Sequence, residues 1–562
     1  MFVFHAGSFI LAIVTIFYIF YATSFILSLR QKELGMYMTL GAKKNKVTKM
    51  MFIETLMIGM ISLAIGLFVG VGITEVISKM IMNQLNFSGE GFQPFYPSSL
   101  ITTIIFYVIL FLLTAMVNAW KVAKKTVLEL LHSEQKADIL TSKGWKTVIG
   151  AFISLLLIAI GYYVMIHMGT FLHVGVIVAV FTVTPGTYFF FMALLPFLIR
   201  RVKSIRSINE KGLNSFTFAQ LRFRISQLTK VLGTVAMLIA LGLGGAMAAG
   251  LSFYHNTAIQ ASLVHANDVT IHQPTEEELS EIESWEFIEK NSYSYKVTED
   301  GVYFLKNDLQ NSPPSIKTYS DDPSALPVEE RVTTPLSQPE YSQGEIPEDW
   351  LEAFRSELLV TPSLFGEREL YILDQQSFEQ LNASAEQIIL GKVESFTDHI
   401  EILKQIDKKH VNLAKAYTGE KPLMIGSKSE TYTSLKNLAS GTIFMGLFLG
   451  VAFLMMMASV LMFKLLSSAT ADIKRYHMLN KIGGVRREKL SNSIHKELFL
   501  IFLFPALLGF VHVLVGMEMF SIILIEPFTK FWIPVVIFLI IYFLYYLLTV
   551  QMYKRIVLPK KK

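Results

Sequence analysis

The sequence predicts a polytopic α-helical membrane protein with about nine transmembrane helices and one α+β extracellular domain. Three observations predict it. The mean hydropathy is +0.46 over 562 residues. Several apolar runs exceed the roughly 18 residues needed to span a bilayer. Charge is segregated: residues 253–438 hold 32 Asp and Glu against 15 Lys and Arg, while the remainder holds 35 Lys and Arg against 13 Asp and Glu. In a membrane protein, a basic part and an acidic part belong on opposite sides of the bilayer.

The apolar runs fall near residues 8–29, 53–77, 100–120, 147–167, 173–199, 230–252, 440–463, 498–518 and 531–551. Lys and Arg cluster after the first, third, fifth, seventh and ninth runs, so the positive-inside rule makes those segments cytoplasmic, including the C-terminus. Alternation then puts 78–99, 168–172, 253–439 and 519–530 outside, without a parity conflict. It also puts the N-terminus outside, with only about seven residues before the first span. A membrane helix preceding this chain is therefore expected. Five regions follow: 1–125, a first three-helix group; 126–229, a two-helix segment with cytoplasmic flanks; 230–252, a helix leading outward; 253–439, the acidic exterior domain; and 440–562, a second three-helix group.

Within the spans, Gly66, Gly70 and Gly72, and again Gly242, Gly244, Gly245 and Gly250, read as sites of close helix approach. Pro185, Pro196, Pro505 and Pro534 are expected to bend or start helices. His512 is the one deep ionisable residue and reads as a hydrogen-bonding link between helices. In the exterior insert, Thr275-Glu-Glu-Glu278 is a capping box, opening a helix to about Lys290. Tyr293–Val297, Asp300-Gly301 and Val302–Leu305 read as a hairpin. Residues 311–348 are Pro-rich and irregular, Glu369–Asp374 is a strand, and Thr397–Tyr417 an amphipathic helix.

The chemistry that is absent is informative. The chain has no cysteine, which excludes disulfides and thiolate chemistry. It has no G-x-x-x-x-G-K-[ST] phosphate loop, no H-E-x-x-H and no G-x-S-x-G. His132, His255, His265, His272, His399 and His410 lack metal-ligand spacing. We expect no catalytic residue, cofactor, metal or nucleic-acid partner. Acidic clusters at Glu276–Glu278, Asp321-Asp322, Glu329-Glu330 and Glu348-Asp349 would attract cationic ligands; solubility of an outward-facing domain is the simpler explanation, and the charge alone does not identify a peptide binder.

Two segments stand apart. Arg30-Gln-Lys-Glu33-Leu34-Gly35 through Leu40-Gly41-Ala42-Lys43 lies between the first two apolar runs. Asp472-Ile-Lys474-Arg475 through Ile482-Gly483-Gly484-Val-Arg486-Arg487 lies between the seventh and eighth. Each reads as a short helix, an aliphatic residue with glycine, and basic residues leading into the next helix. Their recurrence in two three-helix groups points to paired docking elements for a cytoplasmic partner.

These segments, with Phe52-Ile-Glu54 and Ile494-His-Lys-Glu497 following them and the large exterior domain, resemble an FtsX-like ABC transporter permease. The exterior domain after the sixth span is similar to the Gram-positive bacitracin and antimicrobial-peptide resistance type, in which ten helices are expected and the domain follows the seventh. The resemblance implies a permease in the cell membrane, driven by a separate ATPase chain present in two copies. It implies that Glu33, Leu34, Gly35, Leu40, Gly41, Ala42, Ile482, Gly483 and Gly484 contact that ATPase. It further implies a cationic peptide antibiotic or lipid-linked wall precursor as target, and association with a sensor histidine kinase. A non-transporting FtsX-type regulator of wall hydrolysis and a lipid or lipoprotein exporter are the alternatives; nine spans disfavour the first and the position of the insert the second.

Overall fold

The structure, a computed structural model, describes residues 2–84, 95–131, 145–205, 207, 213–319, 326–359, 364–483 and 486–558. In chain order the main helices are α1 (Phe2–Thr39), α2 (Lys44–Gln84), α3 (Pro97–Lys124), α4 (Val127–Leu131), α5 (Trp145–Ile166), α6 (Met168–Phe189), α7 (Leu195–Ser204), α8 (Asn214–Ile239), α9 (Lys428–Gly483), α10 (Arg487–Met519) and α11 (Trp532–Val557). Among the described residues, nine helical stretches are long and apolar enough to cross a membrane. The chain divides into two compact units: a helical unit of Met1–Leu251, Ser440–Ser521 and Lys530–Lys562, and a sheet unit of Ser252–Ala439 with Ile522–Thr529.

The core of the helical unit is built around α8. Leu221, Ile225, Leu228, Leu232, Val235 and Ile239 recur every three or four residues and are buried. They meet Leu461 and Leu465 of α9, Leu490, Ile494 and Ile501 of α10, and Tyr553 of α11. The first three helices instead turn Phe9, Phe17 and Phe68 outward. Lipid is as apolar as these side chains, so burying them would gain little.

Small residues set the closest contacts. A Cβ on Gly509 of α10 would stand 2.9 Å from the Ala236 carbonyl and from Ile239. Gly242, Gly244 and Gly250 likewise face neighbours at 3.2–3.3 Å, whereas Gly66, Gly70, Gly72 and Gly245 meet no atom within 4 Å. Among the described residues, Gly66, Gly70 and Gly72 of α2 therefore pack against nothing, whereas Gly59 of the same helix lies against Phe111 of α3, which an added Cβ would meet at 2.5 Å. Pro196 and Pro534 lie in the first turns of α7 and α11, and Pro185 and Pro505 lie inside α6 and α10. π-Helical turns at Phe190–Leu194 and Ala240–Ala248 follow α6 and α8. His512 of α10 bonds Tyr162 of α5 at 2.6 Å and Thr187 of α6 at 2.8 Å, the interhelical link expected of it.

The sheet unit carries β1 (Val269–His272), β2 (Phe287–Val297), β3 (Gly301–Leu305), β4 (Ser315–Thr318), β5 (Val328–Arg331), β6 (Glu369–Leu373) and β7 (Glu386–Val393). Five form a sheet in the order β1-β7-β2-β3-β6, antiparallel except for β3 with β6; β4 and β5 pair separately. Alternation along β7 explains its two cores. Ile388 and Leu390 face Tyr295, Trp350 and Phe354, while Ile389 and Val393 face Trp285, Leu403 and Ile406. The capping box forms, with Thr275 N–H donating to Glu278 Oε2 at 2.8 Å and Glu278 N–H to Thr275 Oγ1 at 3.2 Å. Its helix ends at Glu283, earlier than the sequence indicates, because Phe287 onward is taken up in pairing with β7. The hairpin forms with Tyr295 opposite Phe304. The amphipathic helix covers Ile400–Thr418.

Gly509→Leu forces a side chain into the α8 backbone and is expected to cost about 1–3 kcal/mol. The thermal midpoint of the purified chain should fall, while Gly66→Leu leaves it unchanged.

Candidate partner-docking site

The first basic segment folds as a helical hairpin. The short helix read from the sequence is the end of α1, which continues unbroken through Arg30 to Thr39. The turn closes by a Schellman pattern: Gly41 N–H donates to the Met38 carbonyl at 3.2 Å and Ala42 N–H to the Tyr37 carbonyl at 3.0 Å. Gly41 sits at φ +96°, in the left-handed region that side chains disfavour.

The residues of the segment divide between inside and outside. Leu34 is fully buried among Leu27, Val47, Met51 and Val122, tying α1 to α2 and α3. Gly35 lies against α4, where an added Cβ would stand 3.1–3.2 Å from Leu130 and Leu131. Reciprocal bonds between Thr126 and Glu129 fix the start of α4. Glu33 accepts from Arg30 at 3.0 Å, and Arg30 also pairs with Glu54 of α2. Met36, Tyr37, Leu40, Gly41 and Ala42 remain on the surface, with Leu40 85% exposed. Leu40, Gly41 and Ala42 are thus brought together at an exposed tip, while Leu34 and Gly35 hold the hairpin from within. In the second segment, Ile482 and Gly483 end α9; Gly484 lies outside the described residues.

Beside that second segment lies a buried charge cluster. Arg224 of α8 donates to Asp472 of α9 at 2.5 Å and pairs through Nε with Glu497 of α10 at 2.7 Å. Tyr553 of α11 accepts from Arg224 at 2.5 Å and donates to Asp472 at 2.7 Å. Tyr476 donates to Glu497 at 3.1 Å. One arginine against two carboxylates leaves an excess negative charge. Arg475 answers it, donating to Asp472 at 3.2 Å from a half-exposed position over the Phe223 ring. Four helices meet at this one ionic junction. The sequence reading placed Arg224 in a general basic cluster and did not single out Asp472 or Tyr553. The signal was available: an acid in an otherwise basic segment, and a glutamate at the edge of an apolar run.

In the sheet unit, much of the acidic surface is internally paired. Glu278 receives Lys409 at 2.6 Å, and Glu329 receives Lys317 at 3.3 Å and also Lys392. Asp321 and Asp322 lie outside the described residues. A polar cavity of about 20 Å³, room for roughly one water, is lined by His265, Asp268, Glu357, Asp407 and Lys428. Burial raises Glu357 to about 7 against three donated hydrogen bonds from Ala266 and Asn267. Burial likewise raises Asp407 to about 6. Burial, aided by Lys428, lowers His265 to about 4. Burial also lowers His410, beside Lys409, to about 3. His272 is lowered by burial and then by His410. Among the described residues, no group of three His, Asp or Glu is placed to hold a metal.

The family model for the FtsX-like permease C-terminal region matches residues 6–127, which span α1 to α3 and the hairpin. Along its length the chain is similar to the bacitracin export permease proteins BceB of Halalkalibacterium halodurans and Bacillus subtilis. They are 22% and 21% identical, covering 98% of this chain and 90% of each relative. Residues 6–127 are thus FtsX-like, and the whole length is similar to ABC transporter permeases. An uncharacterized ABC transporter permease of Bacillus subtilis, YvcS, is 22% identical over the same shares. As an ABC transporter permease the protein is a non-catalytic membrane subunit, and ATP hydrolysis falls to a partner chain.

Two outcomes are expected. In the permease, Arg224→Leu strands two buried carboxylates and should cost about 3–5 kcal/mol of unfolding free energy. Tyr553→Phe should cost about 1 kcal/mol. Replacing Arg224, Asp472 and Glu497 together by leucine should cost less than Arg224→Leu alone; denaturant titration orders the three. In the sheet unit, the raised Glu357 and Asp407 bind protons in the folded state that the unfolded state has released. Glu357's stabilisation is complete below about pH 4.5 and is lost as pH rises through about 7; Asp407's is complete below about pH 3.8 and is lost through about 6. The lowered histidines act in the opposite sense, but only below about pH 6.5. Amide exchange at Ala266 and Asn267, corrected for intrinsic rate, should quicken between pH 6.5 and 8, and Glu357→Gln should flatten that rise.

Proposed function

We propose that this permease confers resistance to cell-wall-active cationic peptides, engaging the peptide or its lipid-linked wall target, with energy from a separate ATPase present in two copies. The observation that carries this reading is the similarity over 98% of the chain to two permeases named for bacitracin export. The negative balance of residues 253–438 supports it, since such a field favours cationic ligands. In this reading the sheet unit is extracellular, the basic segments and C-terminus are cytoplasmic, and a sensor histidine kinase is a further partner.

The ATPase docks on the exposed tip of the α1–α2 hairpin, through Tyr37, Leu40, Gly41 and Ala42, and on the second segment through Ile482, Gly483 and Gly484. Glu33 flanks the tip, and Leu34 and Gly35 act by fixing its shape. An exposed row of Met36, Tyr37 and Leu40 suits a protein partner, because a bare apolar patch on a cytoplasmic turn is unfavourable.

A deletion strain tested against a panel of peptide antibiotics should become sensitive to at least one. Unchanged sensitivity to all, with altered cell shape, would point to regulation of wall hydrolysis instead. In that strain, Gly41→Trp should insert normally yet fail to restore resistance. Leu40→Glu should weaken ATPase binding by about 2 kcal/mol, as for an interface anchor, measured by co-purification at graded ATPase concentrations. Normal resistance with both variants would remove the docking role.

A further inference from the structure

A groove of about 700 Å³ opens in the helical unit between α1, α6 and α8. Its walls run from Val14 to Tyr21 on α1, from Thr184 to Met192 along α6 and the π turn, and from Met237 back to Thr229 on α8. Contacts along the helices fix its polarity. Gly250 faces Ile443 while Arg224 reaches Asp472, so α8 and α9 are antiparallel. Gly7 meets Met445 and Phe25 lies under Lys464, so α1 runs alongside α9 in the same direction. Tyr21 and Lys230 therefore share one end of the groove, and Val14 and Met237 share the other.

The two ends differ chemically. At the first, Lys230 is exposed and, among the described residues, its ammonium has no hydrogen-bond or ion-pair partner. One turn beyond Tyr21, Lys464 lies 5.7 Å over the Phe25 ring and Lys121 donates to Ser24 at 2.7 Å. Among the described residues, no carboxylate lines the groove. Further in, Tyr18 donates to Ser459 at 2.7 Å, and Tyr188 and Thr234 bond each other at 2.9 Å. What remains is an apolar slot with a basic mouth.

We propose that this groove binds an anionic glycerophospholipid of the surrounding membrane, one acyl chain held between α1, α6 and α8 and the phosphate on Lys230. An unpaired ammonium at the edge of the hydrocarbon is costly, and a lipid phosphate supplies the counter-charge. The site depends on the chain spanning a bilayer and is independent of what the transporter acts on.

The test uses the full chain in detergent, titrated with phosphatidylglycerol or phosphatidylcholine, with retained lipid counted by native mass spectrometry. Wild type should retain phosphatidylglycerol with roughly fivefold preference, the scale of one basic residue near a lipid surface. Lys230→Gln should abolish the preference, and Thr234→Trp, which fills the slot and keeps the charge, should lower retention. Equal retention of the two lipids by wild type overturns the proposal, as does an unchanged preference in Lys230→Gln. Displacement of phosphatidylglycerol by equimolar undecaprenyl phosphate also overturns it, identifying a polyprenyl phosphate as the occupant.

Discussion

The helical unit depends on one constraint: a guanidinium removed from water must be met by carboxylates or hydrogen-bond acceptors on the helices around it. Arg224 is almost wholly buried, and its partners come from α9, α10 and α11. Apolar packing in lipid is permissive, because helices gain little from hiding one apolar surface against another. The ionic junction is selective. Sliding α8 by one residue would break the contacts to Asp472, Glu497 and Tyr553 together, so the cluster sets the register that the leucines and glycines above it then fill.

This constraint separates the two halves of the helical unit. Around α8 the helices are fixed by charge, by Gly509 against the α8 backbone, and by His512 between α5 and α6. The α1–α3 group is joined without a buried ionic cluster among the described residues: by Leu34 with its neighbours, by the Arg30–Glu54 pair, by hydrogen bonds from Lys121 to Ser24 and from Lys125 to Gln31, and by Gly59 against the Phe111 ring. The recurring sequence segments thus sit at comparable positions yet are anchored differently: Glu54 pairs across its own hairpin, whereas Glu497 pairs with a helix from the central segment.

Much of the architecture was legible because the bilayer simplifies the reading. Twenty apolar residues have few alternatives to a spanning helix, so the nine stretches and the mixed insert between them could be read from composition alone. The capping box and the β2–β3 hairpin were legible for a local reason, since their signals lie within a few residues. β7 was missed because its partners, β1 and β2, lie about a hundred residues earlier in the chain, and pairing at that distance leaves no local mark. The docking segment was recognisable from its glycines and charges. Which of its residues face outward was hidden, because Leu34 and Leu40 look alike until Val47, Met51 and Val122 close over one of them. The Arg224 junction left marks on single members, Asp472 in a basic segment and Glu497 at the edge of an apolar run, but their pairing was hidden because the members are dispersed over more than three hundred positions.

The unbroken course of α1 has a mechanical consequence. It spans 38 residues, about 57 Å at the rise of an α-helix, from the apolar run to the exposed tip at Leu40. No proline, π turn or gap interrupts it, so it has no joint at which bending could be absorbed. A push on the tip is delivered as tilt of the whole rod. Compliance must reside elsewhere, and the π-helical turns at Phe190–Leu194 and Ala240–Ala248, where backbone bonding can shift by a residue, are the soft points against which such a lever would work.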